Sequence, residues 1–129
     1  MTDAGVNWAG THTFAAPRLV IARSIDEAAA AVREGADSGS PVRALGTRHS
    51  FHDIADTSGT LLTLTEVPAD PVLDEAACTV TVGAGVRYGV LATWLEEHGW
   101  ALHNMGSLPH ISVAGATQTG THGSGITNG

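Results

Sequence analysis

Two stretches of this chain hold the residue types that bind an anion without lysine. In "ALGTRHSF" (44–51), Gly46 permits a tight turn after a short apolar run. Thr47, Arg48, His49 and Ser50 then offer successive backbone amides, two hydroxyls and one guanidinium. Consecutive amides in a concave loop make a nest for phosphate, and an arginine adds a charged, forked donor. In "SLPHISVAGATQTGTHGSG" (107–125), Ser107, Ser112, Thr117, Thr119, Thr121 and Ser124 are interleaved with Gly115, Gly120, Gly123 and Gly125. Pro109 stiffens the entry, and "ISVAGA" predicts a short helical turn with its N-terminal amides aimed at an anion. Two such segments, each following a predicted strand, suggest one extended phosphorylated ligand gripped from two sides. A dinucleotide meets that description. Taken alone, each segment also reads as an ordinary strand-to-loop connection.

Two other patterns invite chemistry and do not sustain it. "GAGVRYG" (83–89) lies between a predicted strand and helix, where a dinucleotide fingerprint belongs. Its spacing is G-x-G-x-x-x-G, one residue too long. The strand before it alternates threonine with valine, whereas the buried first strand of such a unit is continuously apolar. No acidic residue stands at a strand end about 20 residues on to meet a ribose. A packing turn is the expectation. The seven histidines raise the question of a metal. His49 and His52 are three apart, but no third ligand, cysteine pair or H-E-x-x-H helix accompanies them, so no metal site is expected. His98 ends a predicted helix, where it complements the macrodipole. His12 and His103 have no recognisable context.

The elements that must position these loops are short. "RLVIA" (18–22) reads as a strand. Ser24 followed by Glu27 is a capping box, opening a helix with Ile25, Ala28, Ala29 and Val32 on one face and glycines 35 and 39 closing it. "VRAL" (42–45) and "TLLTL" (60–64) read as strands, and residues 71–85 as an antiparallel pair turning near 75–77. The spacing predicts a helix over 86–99, with Val86, Val90, Leu91, Trp94 and Leu95 on one face and Gly99 at C′. "WALHN" (100–104) reads as a last strand. The sum is an α+β domain of two helices and about six short strands.

The chain has 129 residues, one domain's worth. Its net charge is −7, from 13 acidic residues against six basic ones, all of them arginine. That balance argues against nucleic acid or an anionic membrane as partner. Any anionic ligand must be held by backbone amides and a few placed arginines. Cys78 is the lone cysteine, which excludes an internal disulfide and points to a reducing compartment. The N-terminus lacks the basic and apolar regions of a signal peptide, and no apolar run approaches ~20 residues. A soluble, cytoplasmic domain is expected.

Over nearly its whole length the chain resembles the N-terminal FAD-binding domain of the vanillyl-alcohol-oxidase-type flavoproteins, and within them the alditol and xylitol oxidases. The resemblance is carried by "NWAGTHTF", "RALGTRHSFHDIAD", "TVTVGAGVRYGVLATWLEEHGWAL" and "NMGSLPHISVAGATQTGTHGSG". Aldonolactone oxidases share the "HS" and "GTH" elements but differ at "SLPHIS". The resemblance implies a PCMH-type FAD-binding fold over residues 1–129, with a small βαβ-containing subdomain and a mixed sheet. It places the substrate domain outside this chain, so that a truncated piece without turnover of its own is expected. It implies that Ala44, Leu45, Gly46, Thr47, Arg48, His49 and Ser50 wrap the FAD pyrophosphate. His49 matches the histidine joined covalently to the 8α-methyl carbon of the flavin, a role within reach of a neutral imidazole near pH 7. Ser107, Ser112, Gly115, Thr119, Gly120, Thr121 and His122 match further flavin contacts. Ser107 is the catalytic candidate, touching flavin and substrate. Many relatives have glycine where Arg48 stands; because a side chain resists positive φ, a different loop path is expected here.

The implied activity is oxidation of a polyol such as xylitol or sorbitol at a terminal hydroxyl. Hydride passes to flavin N5 and then to O2, giving hydrogen peroxide. The implied partners are the polyol and O2, and a monomer is the expectation for the full-length enzyme. An aldonolactone or sugar oxidase or dehydrogenase on the same scaffold is the alternative. A nucleotide-binding fragment without chemistry is the alternative of another class.

Overall fold

The computed structural model describes residues 4–127, and the chain divides between Pro68 and Ala69 into two compact units. The first contains β1 (Arg18–Ile21), α1 (Ile25–Ser38), β2 (Val42–Ala44), a 3-10 turn at Asp53–Ala55, and β3 (Thr60–Thr63). The three strands form one parallel sheet in the order β1-β3-β2. Arg18 and Val42 both pair with Thr60, and Ile21 pairs with Thr63. Parallel neighbours require crossover connections. Helix α1 carries the chain from β1 to β2, and residues 45–59 carry it from β2 back to β3.

The central strand is buried along its whole length. Side chains alternate across a strand, so Leu61 and Leu62 face opposite sides. Leu61 packs with Ala4, Phe14 and Leu45, and Leu62 with Ala22 and Ala31 of α1. One face is therefore covered by the helix and the other by the N-terminal segment before β1. This is why "TLLT" reads as a run rather than an alternation.

Helix α1 begins as its sequence predicts. Ser24 Oγ accepts from Glu27 N at 3.1 Å, and Glu27 Oε2 accepts from Arg23 N at 2.7 Å, one residue before the cap. Gly39 closes it at φ 67. The buried face differs from the one expected. Ile25 is 77% exposed and Val32 51%, while Ala31 and Gly35 are the buried positions. The reason is distance: a Cβ on Gly35 would stand 2.2 Å from Val42 Cγ2 and 2.9 Å from Ser40 O. At that separation only small residues fit between helix and sheet. Arg18 and Glu34 form an exposed bidentate pair from β1 to α1, at 2.6 and 2.8 Å.

The second unit holds the antiparallel pair β4 (Val72–Asp74) and β5 (Thr79–Thr81), α2 (Tyr88–Glu97) and α3 (Val113–Gln118). Asp74 Oδ1 accepts from Ala77 N at 3.0 Å within the β4–β5 turn. Helix α2 is shorter than the predicted 86–99, because the Val86 carbonyl accepts from Val113 N instead of from the helix, and Gly99 at φ 79 lies beyond its end. Leu91 and Leu95 are buried as expected, but Val90 is 62% exposed. Gly99 follows at φ 79, as a C′ residue should. His98 stacks on Trp94 with ring centroids 3.9 Å apart. Residues 100–104 form no strand. Among the described residues no helix is long and apolar enough to cross a membrane.

Gly35 gives a direct check on helix–sheet spacing. Alanine should gain about 1 kcal/mol of helix propensity there. Overpacking against a stiff valine and a backbone carbonyl costs ~1–3 kcal/mol, and the contact is severe enough for that term to win. Urea unfolding of Gly35→Ala should show a lower midpoint than wild type; a higher one would mean that α1 stands further from the sheet.

Candidate functional site

The first candidate loop leaves the sheet at a fixed point. Leu45 N donates to Leu62 O at 2.8 Å, and Leu45 is buried in the core beneath β3. Ala44, the last residue of β2, is exposed, and Gly46 through Ser50 are half-buried. Arg48 adopts φ 64. The expectation that arginine would divert the loop from a glycine-like path is thus corrected: Arg48 takes the left-handed conformation itself. What holds it there is contact with the N-terminal segment, where Trp8 N donates to Arg48 O at 2.8 Å. A left-handed residue turns successive amides toward one side, the geometry of an anion nest. The amides of Gly46, Arg48 and Ser50 donate to no protein acceptor among the described residues.

Around His49 the structure adds residues that the motif reading left out. Its imidazole stacks on the Trp8 indole, centroids 5.5 Å apart and planes 25° apart. Its Nδ1 lies 3.1 Å from Thr47 Oγ1, so that hydroxyl faces the imidazole. Asn7 is 2% exposed and donates through Nδ2 to Ser50 O at 2.8 Å and to Thr11 Oγ1 at 2.9 Å. Its Oδ1 accepts from Thr11 N and His12 N. Thr11 Oγ1 donates to Phe51 O at 2.7 Å. His12 also has a setting: its Nε2 lies 2.8 Å from Asp56 Oδ2. Within "NWAGTHTF" the one available signal was an asparagine amid small residues, a type that satisfies several backbone groups at once.

The second candidate segment lies in the second unit. Tyr88 N donates to Ile111 O, Gly89 N to Pro109 O and Val113 N to Val86 O. A Cβ on Gly89 would stand 3.1 Å from Pro109. "GAGVRYG" is therefore the packing turn that its spacing predicts, seated against residues 109–113. Ser112 is 1% exposed, and its Oγ accepts from Gly115 N at 3.3 Å. Gly115 leaves room for that cap, since a Cβ there would lie 2.7 Å from Ser112 Oγ. "ISVAGA" does form a helical turn, but two of its leading amides, those of Val113 and Gly115, are already taken inside the protein. The expectation that they aim at an anion is corrected accordingly. Thr119 Oγ1 donates to Gly115 O at 2.8 Å, Gly120 has φ 72, Thr121 N donates to Ala116 O, and His122 Nδ1 lies 2.9 Å from Gly120 O. Ser107 is exposed in the loop before α3. Among the described residues no three of His, Cys, Asp and Glu converge as metal ligands.

Residues 16–128 match the FAD binding domain family. The chain belongs to that family. It is 49% identical to an alditol oxidase of a Streptomyces species over its whole length, covering 31% of that protein. It is 35% identical to an L-gulono-1,4-lactone dehydrogenase of Mycobacterium tuberculosis, over 93% of this chain and 28% of that one. The chain thus spans less than a third of these relatives. Among solved structures, a solvent-stable cholesterol oxidase superposes with a TM-score of 0.73 at 23% identity, over 87% of this chain and 22% of its own. A BBE-like protein of Physcomitrella patens superposes with a TM-score of 0.72 at 22% identity, over 87% of this chain and 24% of its own. The PCMH-type FAD-binding fold that the resemblance implies, built from both helices and strands, is the fold of this domain.

Asp56 ties the N-terminal segment of this FAD-binding domain to the crossover that follows β2, through His12, Ala15 N and Ala16 N. Burial opposes its charge, but bonds from Ala15 N, His12, Thr57 N and Ala16 N outweigh that and hold the carboxyl below its ordinary range. A carboxylate favoured in the folded state stabilises the protein above its unfolded pKa and loses that stabilisation as pH falls through the folded one. The domain should therefore weaken below about pH 4. Thermal unfolding across that range should show a steeper acid-side decline in wild type than in Asp56→Asn, and equal slopes would exclude this origin. A second pair of variants tests the backbone at Arg48. Glycine and alanine both remove the side chain, so their difference reports φ alone. Arg48→Gly should be more stable than Arg48→Ala by about 1 kcal/mol in urea unfolding; the reverse order would contradict the left-handed conformation.

Proposed function

We propose that this domain binds FAD through the 44–50 loop and belongs to an oxidase acting on the terminal hydroxyl of a polyol. The observation that carries the binding mode is the set of uncommitted amides at Gly46, Arg48 and Ser50 around a left-handed residue. In an acidic chain without lysine, these donors fit a diphosphate. When bound, FAD supplies the two-electron acceptor, and the protein's part is binding, orientation and tuning. The identity to an alditol oxidase along the whole chain supports a polyol, oxidised to an aldose while O2 becomes hydrogen peroxide. Ser107, exposed in its loop, is proposed as the group that meets flavin and substrate. Ser112, Gly115, Thr119, Gly120, Thr121 and His122 shape the segment that follows it.

His49 is proposed as the covalent attachment point, in its ring's place beside Trp8 and Thr47. Joining an imidazole N–H to a methyl C–H removes two hydrogens overall. The two electrons of this step would pass to the flavin itself, and dioxygen would then reoxidise it, becoming hydrogen peroxide.

A second reading rests on the lactone dehydrogenase of Mycobacterium tuberculosis and a D-arabinono-1,4-lactone oxidase of Eremothecium gossypii, 35% and 38% identical. On it the substrate is an aldonolactone, and the electron acceptor need not be oxygen.

One preparation of the complete gene product decides these points. Acid-precipitated wild type should retain flavin in the pellet, and His49→Ala should release all of it; retention by His49→Ala would move the tether elsewhere. Peroxide production should be faster on xylitol or sorbitol than on L-gulono-1,4-lactone. The opposite order would favour the lactone reading.

A further inference from the structure

We propose that Asn7 is a positioning residue for His49, acting with Trp8 and Thr11 as a clamp on the carbonyls that flank it; this rests on the reading of His49 as the flavin attachment point. Three hydrogen bonds define the clamp. Trp8 N holds Arg48 O at 2.8 Å, Asn7 Nδ2 holds Ser50 O at 2.8 Å, and Thr11 Oγ1 holds Phe51 O at 2.7 Å. They take the carbonyl immediately before His49 and the two after it.

The consequence follows from peptide geometry. In a planar trans unit the N–H of one residue points opposite the C=O of the residue before it. With Arg48 O and Ser50 O turned toward the N-terminal segment, the amides of His49 and Phe51 are turned away from it. The same segment thus fixes the two peptide planes on either side of the His49–Ser50 unit, and with them the backbone from which the His49 ring projects. It also places the indole of Trp8 along the imidazole, which limits rotation of the ring. Trp8 is 59% exposed, so the stack does not serve to bury the indole.

Asn7 is the centre of the clamp because it works in both directions. Oδ1 collects Thr11 N and His12 N and so shapes the N-terminal turn, while Nδ2 reaches the loop. Aspartate keeps the first function and loses the second, placing an oxygen against Ser50 O. Asn7→Asp therefore separates the segment's own fold from its grip on the loop. Thr11→Val removes the hydroxyl bond to Phe51 O, and Thr11→Ser restores it.

The experiment is a time course of acid-stable flavin after FAD is added to the flavin-free complete protein in air. It is run at saturating FAD, so that the rate constant reports positioning and the amplitude reports the folded fraction. A misplacement of the reacting group by about 1 Å can cost a hundredfold. We expect Asn7→Asp to lower the rate constant by about tenfold or more. Thr11→Val should lower it measurably, and Thr11→Ser should match wild type. Rate constants equal to wild type in both Asn7→Asp and Thr11→Val, or a Thr11→Ser as slow as Thr11→Val, would overturn the clamp. If wild type itself forms no acid-stable flavin, the attachment reading fails. The clamp then stands or falls on the dissociation constant for FAD, expected about tenfold weaker in Asn7→Asp and overturned by an unchanged value.

Discussion

A parallel strand with apolar residues on both faces must be covered on both, and this domain's first unit is organised by that requirement. Leu61 and Leu62 are adjacent in sequence and opposite in space. Helix α1 closes over one face. The segment bearing Ala4 and Phe14 closes over the other. That second cover brings Asn7, Trp8 and Thr11 to the loop that leaves β2. Burial of Leu61 and the hydrogen bonds to residues 48–51 are therefore parts of one arrangement. The sheet positions the start of the loop through Leu45, and the N-terminal segment positions its tip.

The binding mode proposed for the 44–50 loop depends on where backbone groups point rather than on charged side chains. A chain with a net charge of −7 holds an anion best with dipoles whose direction is set in advance, because such donors need no reorganisation when the ligand arrives. Arg48 illustrates the cost. A left-handed residue with a side chain is strained by about 1 kcal/mol, yet three carbonyl contacts around it keep the loop in place. In the second unit the internal bonds run the other way. Ser112, Gly115 and the backbone of 86–89 tie up the start of α3, so its six residues serve the fold of the loop before anything else.

Small residues decide both packing arrangements. Gly35 lets α1 approach β2, and Gly89 lets α2 approach Pro109. Ile25 and Val32 of α1 and Val90 of α2 lie outward, while Leu91 and Leu95 keep the buried face of α2. A hydrophobic-face argument selects large residues and so misplaces the buried stripe of α1. The helix is right, its cap is right, and its orientation is wrong by the width of a side chain.

The sequence by itself determined the local elements. β-Branched runs became strands, Ser24 and Glu27 began a helix, Gly39 and Gly99 ended two, and the segment after β2 became a loop. These outcomes depend on neighbours a few residues apart, where steric and hydrogen-bonding rules act alone. The family was also legible, because long motifs survive in order. What only tertiary structure decided was the pairing of distant parts: β3 between β1 and β2, the left-handed Arg48, and the reach of Asn7 to Ser50 across 43 positions. No local rule carries those contacts. They exist because burying both faces of one strand brings segments together that the chain keeps apart.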